Sequence, residues 1–277
     1  MFRRKNNSND HREHDQMHPE EKVNELRVAI GPQSGRNLQF CTDACLRRYL
    51  EARNWNVDKS KKMLQETLKW RSTYKPEEIR WHEVAHEGET GKLYRASFQD
   101  RGGRPVLVLR PGKQNTSSHD NQLRHLVYLL ENAILNLPDE QEQMYPTGLL
   151  ERLYILQNHY PERLSAAFLY SPPRIFETFW KIIKYFLDPK TFQKVKFVYP
   201  KNAESMELMQ QHFDIDILPT ELGGRDNSPY DHEEFSRLMV KDDIKSAKLW
   251  GFDNTHSPNV HSTAVAPEPE PAAPPAS

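Results

Sequence analysis

The chain has 277 residues, and its 38 Lys and Arg against 39 Asp and Glu give a formal net charge of −1. A near-neutral chain lacks the dominant positive field of a nucleic-acid-binding protein, so we expect no nucleic-acid partner. The mean hydropathy is −0.85, and no apolar run approaches the length of a membrane span. The basic N-terminus has no apolar stretch typical of a secretory signal.

Both ends of the chain have compositions typical of unpacked tails. Residues 1–36 are polar, rich in histidine and without periodicity, and we predict that they are disordered. Their spaced histidines could in principle bind a metal, but a solvated tail is the better interpretation because no cysteine accompanies them. Residues 249–277 become rich in Pro, Ala and Glu and are predicted to form a second disordered tail.

A small helical lobe is predicted at residues 37–80. Thr42 can cap a helix from Ala44 to about Arg53, since its hydroxyl can accept a hydrogen bond from the first turn. A second helix is predicted to start at Val57, and Pro76 closes the lobe.

Residues 81–248 alternate between strand and helix patterns. The uninterrupted apolar run from Pro105 to Leu109 is typical of a strand that is covered on both faces. Strands that alternate with helices indicate a mostly parallel sheet in an α/β domain. Further strands are predicted at Leu164–Tyr170 and Val195–Tyr199, and helices at Leu123–Leu137, Leu149–Tyr160, Ile175–Leu187 and Ala203–His212.

The helix predicted at Ile175–Leu187 is apolar on nearly every side, whereas a surface helix needs only one apolar stripe. It therefore needs two apolar neighbours. One neighbour can be the sheet. The second can be a ligand or a membrane surface, or the helix can be buried between the sheet and the helical lobe; the pattern leaves both alternatives open. Prolines on both sides suit a rigid lid with hinges. The candidate ligand contacts are Phe176, Phe179, Trp180, Ile183 and Phe186.

Sequence motifs of catalysis are missing. There is no P-loop, no Gly-rich dinucleotide motif and no nucleophile elbow. Cys41 and Cys45 are the only cysteines, too few for a structural zinc site, so we expect packed thiols and a reducing, cytoplasmic location. We predict no enzyme activity, no catalytic residue, no cofactor and no metal.

Several blocks of sequence stand out when they are taken in order. They are Leu46–Trp55 followed by Leu68–Arg71, then Leu156–Leu164 with its Tyr-Pro-Glu-Arg motif, Ala167–Phe176, Asp188–Val195 and Leu218–Gly224. Together they resemble the Sec14-like family of phosphatidylinositol transfer proteins, which carry a CRAL-TRIO lipid-binding domain behind an N-terminal helical lobe. The resemblance covers about Gln39 to Asp226, roughly two thirds of the chain. It implies a lobe packed on an α/β domain, with a mostly parallel sheet, surrounding helices and a gate helix, onto which Ile175–Leu187 falls.

The resemblance also implies a site for a phosphoinositide headgroup. Arg53 and Lys194 match the family's phosphate-binding cations, and Arg suits a phosphate because it can bind bidentately. Glu162 matches an acid that holds inositol hydroxyls or positions Lys194, and Thr191 offers a further hydrogen bond. Without the resemblance, the cations would be interpreted as solvated surface charges and Glu162 as a local partner of Arg163.

One departure from the family pattern lies between Leu137 and Leu156. The family has a strongly apolar interior strand here, but in this chain Gln143-Met144 is followed at once by Tyr145-Pro146. We therefore predict that one central strand is missing. An interior strand pairs with both neighbours, so its loss is expected to lower stability or weaken lipid binding.

The resemblance implies that the chain binds a single phospholipid, phosphatidylinositol or phosphatidylcholine or both, and transfers or presents it between membranes. The expected partners are the lipid, a transient membrane surface and lipid kinases, with the protein a cytoplasmic monomer. Two alternatives stay open. One is a carrier of another hydrophobic small molecule, and the other is a scaffold that no longer binds lipid because of the missing strand.

Overall fold

The computed structural model describes residues 18–138, 141–146, 153–183 and 189–252. Over these residues the chain forms a helical lobe followed by an α/β domain, which confirms the predicted fold class. Each of the two parts has its own apolar core.

The lobe consists of four helices, and its local structure follows from the capping residues. The Thr42 hydroxyl accepts a hydrogen bond from the Cys45 amide at 3.2 Å, and the Asn56 side chain accepts one from the Lys59 amide at 2.9 Å. Such bonds satisfy amide groups that lack a partner in the first helical turn. The helices are α1 (Pro19–Ile30), α2 (Gly35–Phe40), α3 (Asp43–Glu51) and α4 (Val57–Tyr74).

Helix α1 shows that the prediction of a disordered tail over residues 1–36 was wrong from residue 19 onward. Val23 and Leu26 are buried in the lobe core, against α3 and α4. Pro19 occupies the first helical turn, and the Glu21 carboxylate accepts a hydrogen bond from the His18 amide at 3.1 Å. The sparse apolar positions of this amphipathic helix were hidden among charged residues. Residues 1–17 lie outside the described part.

The α/β domain carries the remaining elements. The strands are β1 (Leu93–Gln99), β2 (Pro105–Leu109), β3 (Tyr145–Pro146), β4 (Ala167–Tyr170) and β5 (Val195–Val198). The helices are α5 (Trp81–Gly88), α6 (His119–Leu135), α7 (Leu153–His159), α8 (Arg174–Ile183), α9 (Pro189–Gln193), α10 (Ala203–His212) and α11 (His232–Trp250). Short 3₁₀ turns lie at Pro76–Glu78, Pro111–Lys113 and Thr220–Leu222.

The described strands form a three-stranded sheet in the order β1-β2-β3 and a two-stranded sheet of β4 and β5. Most of the pairings are parallel, with one antiparallel edge that the sequence analysis did not predict. Strand β1 pairs with β2 in antiparallel fashion, β2 pairs with β3 in parallel, and β4 pairs with β5 in parallel. In β1 the residues Tyr94, Ala96 and Phe98 alternate with more exposed positions. This two-residue period is the signal that identifies the strand.

A short segment lies where the sequence analysis predicts the missing strand. Tyr145 and Pro146 form a two-residue strand beside Val106 and Leu107. Met144, which is fully buried, forms a parallel bridge to Leu164, with hydrogen bonds of 2.8 Å to the Arg163 carbonyl and from the Ser165 amide. The segment therefore links the β2 side of the sheet to the β4 side with far fewer residues than a full strand.

Helix α11 corrects the predicted boundary of the C-terminal tail. It ends at Trp250, inside the range 249–277 that we predicted to be disordered. Its inner residues Phe235 and Met239 belong to the core of the α/β domain. Beyond the helix, the ring of Phe252 lies 4.0 Å from the Arg36 guanidinium, which ties this end of the chain to the lobe. Residues 253–277 lie outside the described part.

A buried ionic network joins the lobe to the α/β domain. Arg71 of α4 donates to both carboxylate oxygens of Glu131 on α6, at 2.7 and 3.2 Å, and to Glu77 at 3.1 Å. The Tyr160 hydroxyl also donates to Glu131, at 2.7 Å. Because charges this deeply buried need geometric pairing, the network fixes how the lobe sits on the domain.

Candidate functional site

A cavity of about 840 Å³ lies between the lobe, the sheet and helix α8. Its volume is in the upper part of the range of about 300–1,000 Å³ that is typical of small-molecule sites. Most of its wall is made of apolar side chains from the strands, from α10 and from the segment that follows α10. These include Phe98, Val106, Val108, Leu109, Ala167, Phe168, Leu169, Met209, Phe213 and Leu218.

Helix α8, the predicted gate, supplies one wall of this cavity. Phe176 and Trp180 are four residues apart and therefore share a helical face. Trp180 packs on Phe192 at 5.5 Å and on Phe197 at 5.9 Å between ring centroids. These two gate residues line the cavity, whereas Ile175 on another side is 80 % exposed. The side chains of Phe179 and Ile183, and all of Phe186, lie outside the described part.

The predicted headgroup residues Arg53, Glu162, Thr191 and Lys194 all line this cavity. Arg53 follows helix α3 of the lobe, and the other three surround the start of β5 in the α/β domain. The structure therefore brings together residues that are more than a hundred positions apart in sequence. Lys190, Glu51 and Asn54 join them, and the sequence analysis did not single these out. Lys190 was present in one of the family blocks, so the signal was available.

Lys194 and Glu162 form an ion pair of 3.2 Å, with 22 % and 19 % of their side chains exposed. The alternative pairing of Glu162 with Arg163 is not seen, because Arg163 donates to the Glu142 carbonyl at 2.8 Å. Glu162 has a φ of 55°. A positive φ is uncommon outside glycine, and such conformations cluster at ligand sites. The backbone conformation at Glu162 thus holds its carboxylate beside Lys194.

The electrostatics of this end of the cavity are mixed. Arg53, Lys190 and Lys194 provide three cations, while Glu51 and Glu162 provide two carboxylates. Burial raises the pKa of Glu51, and the nearby carboxylate of Glu162 raises it further. A phosphate group placed among the cations would find charge-assisted hydrogen-bond donors, and hydroxyl groups would find carboxylate acceptors. We call these five residues, together with Thr191 and Asn54, the basic mouth.

Within the described part of the chain, no cluster of three or more His, Cys, Asp or Glu residues could hold a metal ion. No described helix is long and apolar enough to cross a bilayer.

Comparisons with known proteins agree with the fold. The CRAL/TRIO domain family matches residues 88–146 and 143–224, and the CRAL/TRIO N-terminal domain family matches residues 29–66. The two segments of the first match meet at residues 143–146, where the sequence analysis predicts the missing strand.

Two relatives and one solved structure are similar to this chain over most of its length. A CRAL-TRIO domain-containing protein of Schizosaccharomyces pombe is 34 % identical over 73 % of this chain, and phosphatidylinositol transfer protein PDR17 of Saccharomyces cerevisiae is 30 % identical over 76 %. The aligned part covers 21 % and 65 % of the length of these two relatives. The crystal structure of Sfh5 aligns with this chain with a TM-score of 0.52 and 18 % identity, over 86 % of each chain. This similarity shows the fold alone.

The two family matches cover the helical lobe and the α/β domain in the same order as the structure has them. The chain therefore belongs to the CRAL/TRIO domain family.

Proposed function

We propose that this chain binds one phospholipid, phosphatidylinositol or phosphatidylcholine, in the cavity and transfers or presents it between membranes. The observation that carries this proposal is a single cavity with an apolar wall and a basic mouth at one end. The apolar wall suits acyl chains, and the basic mouth suits a phosphorylated headgroup. The name of the relative PDR17, a phosphatidylinositol transfer protein, supports the same assignment.

The energetics of transfer need no covalent chemistry. Burying an acyl chain stabilises it by about 0.8 kcal/mol per CH₂ relative to water. The same chain is already buried in a bilayer, so exchange between bilayer and cavity is nearly balanced in free energy. The protein therefore has to supply a water-free path. Helix α8 is suited to open that path, because Phe176 and Trp180 face the cavity and Ile175 is exposed toward the outside.

Within the basic mouth, Arg53 and Lys194 are proposed to contact the phosphate of an inositol headgroup. Glu162 keeps Lys194 in place through the 3.2 Å pair and accepts hydrogen bonds from ring hydroxyls. Thr191 lies one turn before Lys194, whose amide donates to the Thr191 carbonyl at 3.2 Å. A zwitterionic choline headgroup needs less positive charge, so the two lipids should depend differently on these residues.

A transfer assay with two variants tests the proposal. We expect Lys194→Ala and Arg53→Ala each to slow phosphatidylinositol transfer between vesicles by about tenfold, the loss expected for a hydrogen bond to a charged group. Phosphatidylcholine transfer should change much less. Lys201→Ala is the matched control, because Lys201 is an exposed lysine on the turn after β5 and does not line the cavity.

Native mass spectrometry of the purified protein tests the lipid assignment separately. A phospholipid adduct supports the proposal, a smaller adduct indicates a carrier of another hydrophobic molecule, and no adduct after incubation with vesicles contradicts lipid binding. If both lipids lose transfer equally in the two variants, the headgroup assignment is wrong even though lipid binds.

A further inference from the structure

Arg110 lines the same cavity at a distance from the basic mouth, and its charge is only partly paired. Its Nη2 atom donates to the Tyr94 hydroxyl at 2.9 Å and forms an ion pair with Glu221. The guanidinium also lies 4.8 Å from the centre of the Tyr94 ring. Among the described residues, however, its Nε and Nη1 atoms are shielded from water and have no hydrogen-bond partner.

Two unpaired, buried donors on one guanidinium are unusual. Buried polar groups are nearly always hydrogen-bonded, and leaving a charged one unpaired costs more than any single hydrogen bond contributes. Arginine presents five N–H donors in a rigid fork that matches a carboxylate or phosphate. Only Nη2 is engaged here, so most of the binding capacity of this residue is unused.

The position of Arg110 separates it from the basic mouth. Arg110 directly follows β2, at the carboxyl end of the parallel strands, whereas Lys194 directly precedes β5, at their amino end. Four strand residues at about 3.3 Å each place these two ends on the order of 10 Å apart along the strands. The cavity therefore has a cationic group toward each end.

The two partners of Arg110 differ in how deeply their side chains are buried. Tyr94 is buried, and its ring packs on Tyr230 at 4.9 Å between centroids. Burial raises the pKa of Tyr94 to about 12, so its hydroxyl keeps a proton to donate at neutral pH. The Glu221 side chain is 42 % exposed on the 3₁₀ turn Thr220–Leu222, and it can rotate into solvent. A competing anion would displace Glu221 rather than Tyr94.

We propose that Arg110 and Tyr94 form a second anion-binding subsite. There the carboxylate or phosphate group of an apolar ligand replaces Glu221 at Nη2 and, by binding bidentately, also accepts a hydrogen bond from one of the two unpaired nitrogen atoms, Nε or Nη1. The subsite rests on the proposed function, since the apolar part of the ligand occupies the same cavity. In the ligand-free protein the Glu221 carboxylate takes the place of the anion. A ligand must therefore displace Glu221 from Arg110 in order to bind.

Competition binding with three ligands of equal chain length tests the subsite. Hexadecanoate, hexadecyl phosphate and hexadecanol each displace a pyrene-labelled phosphatidylcholine that is loaded first. We expect at least one anion to compete about tenfold better than the alcohol, as a hydrogen bond to a charged group predicts. Comparing the carboxylate with the phosphate distinguishes a fatty acid from a phosphorylated lipid. Arg110→Gln should abolish the advantage, whereas Glu221→Gln should increase anion affinity several-fold by removing the competing carboxylate.

The controls separate the possible failures. Arg225→Gln is the matched control, because Arg225 is 74 % exposed and does not line the cavity. Thermal melts show whether each variant is folded. If Arg110→Gln does not fold, Glu221→Gln still tests the subsite, because it is expected to bind the anions more tightly than the native protein does. An unchanged or lower anion affinity in Glu221→Gln would then overturn the subsite. Equal competition by anions and alcohol overturns the subsite, as does an anion advantage that Lys194→Ala removes and Arg110→Gln leaves. Failure of the labelled lipid to load overturns the proposed function instead.

Discussion

Replacing Arg71 by Met should destabilise the protein strongly. The buried carboxylate of Glu131 would lose the cation that it pairs with, and that of Glu77 would keep only the more distant Arg36, at 3.8 Å. Arg71 has only 5 % of its side chain exposed, and its partners Glu77 and Glu131 have 6 % and 16 %. Removing one member of a buried ion pair typically costs about 3–5 kcal/mol. The Phe40 ring, 4.5 Å from the guanidinium, would lose a cation–π contact as well. Urea unfolding followed by tryptophan fluorescence measures the free energy of unfolding.

The pH dependence of this loss identifies its cause. Burial alone would raise the pKa of Glu131, but Arg71 and the Tyr160 hydroxyl outweigh burial and lower it. In the native chain the pairing therefore stabilises the fold at pH values above the usual carboxyl range, and this stabilisation is lost as pH falls through the lowered pKa of Glu131. In the variant, burial acts without Arg71 and raises the pKa. The cost of burying the unpaired Glu131 carboxylate in the variant is present above that raised pKa and disappears as pH falls through it. The difference in the free energy of unfolding between the native protein and the variant should therefore narrow in mild acid.

A double variant and a matched control variant separate the effect of charge from the effect of packing. The double variant with Arg71→Met and Glu131→Gln removes both charges and should recover at least about 1 kcal/mol relative to the single variant. Arg237→Met is the matched control, since Arg237 is 71 % exposed and its pair with Glu233 spans 3.9 Å, so its effect should stay within about 0.5 kcal/mol. A loss that is independent of pH, with no recovery in the double variant, would show that packing rather than charge holds the joint.

Two further predictions concern backbone packing and the thiols. A Cβ atom at Gly224 would lie 1.8 Å from the Leu218 carbonyl oxygen, so Gly224→Ala should cost at least about 3 kcal/mol in urea unfolding, whereas Gly112→Ala, with nothing within 4 Å, should be near neutral. Equal effects would contradict the packing described for the Leu218 turn. Cys41 and Cys45 are buried, and burial raises the pKa of Cys41 to about 12, so both thiols should react with Ellman's reagent only slowly until urea is added. Rapid reaction of the folded protein would contradict their burial.

Elements with strong local signals could be predicted from sequence. The strand at Pro105–Leu109 and the helix at Ala203–His212 have the bounds that their patterns indicate. Both are short apolar or periodic segments between clear turn residues, so local chemistry determines them. Helix α1 and strand β1 were not predicted. The apolar residues of α1 are spread among charged residues, and β1 is interrupted by Arg95 and Ser97, so the alternating pattern of β1 was overlooked. Both elements become part of a core through contacts with segments far along the chain.

The candidate site was accessible to sequence only through the family resemblance. Arg53 and Lys194 carry no local signal that distinguishes them from surface charges, and no spacing rule relates residues so far apart. Their convergence depends on the joint between lobe and domain, where Arg71 and Glu131 lie 60 positions apart. Arg110 was not identified at all, because an arginine after a strand is ordinary in sequence. Only its two unpaired nitrogen atoms in the structure single it out.

The short segment at residues 144–146 bears on whether this chain can hold a lipid at all. A central gap between β2 and β4 would leave the cavity without a continuous wall, which favours the interpretation as a scaffold that no longer binds lipid. Met144 instead bonds to the Arg163–Ser165 backbone while its neighbour Tyr145 pairs with Val106 of β2. The bridge keeps both sides of the sheet in register at the amino end, and residues of β2 and β4 line one common cavity. Because a wall needs continuity more than it needs strand length, the shortened connection favours a lipid carrier over an empty scaffold.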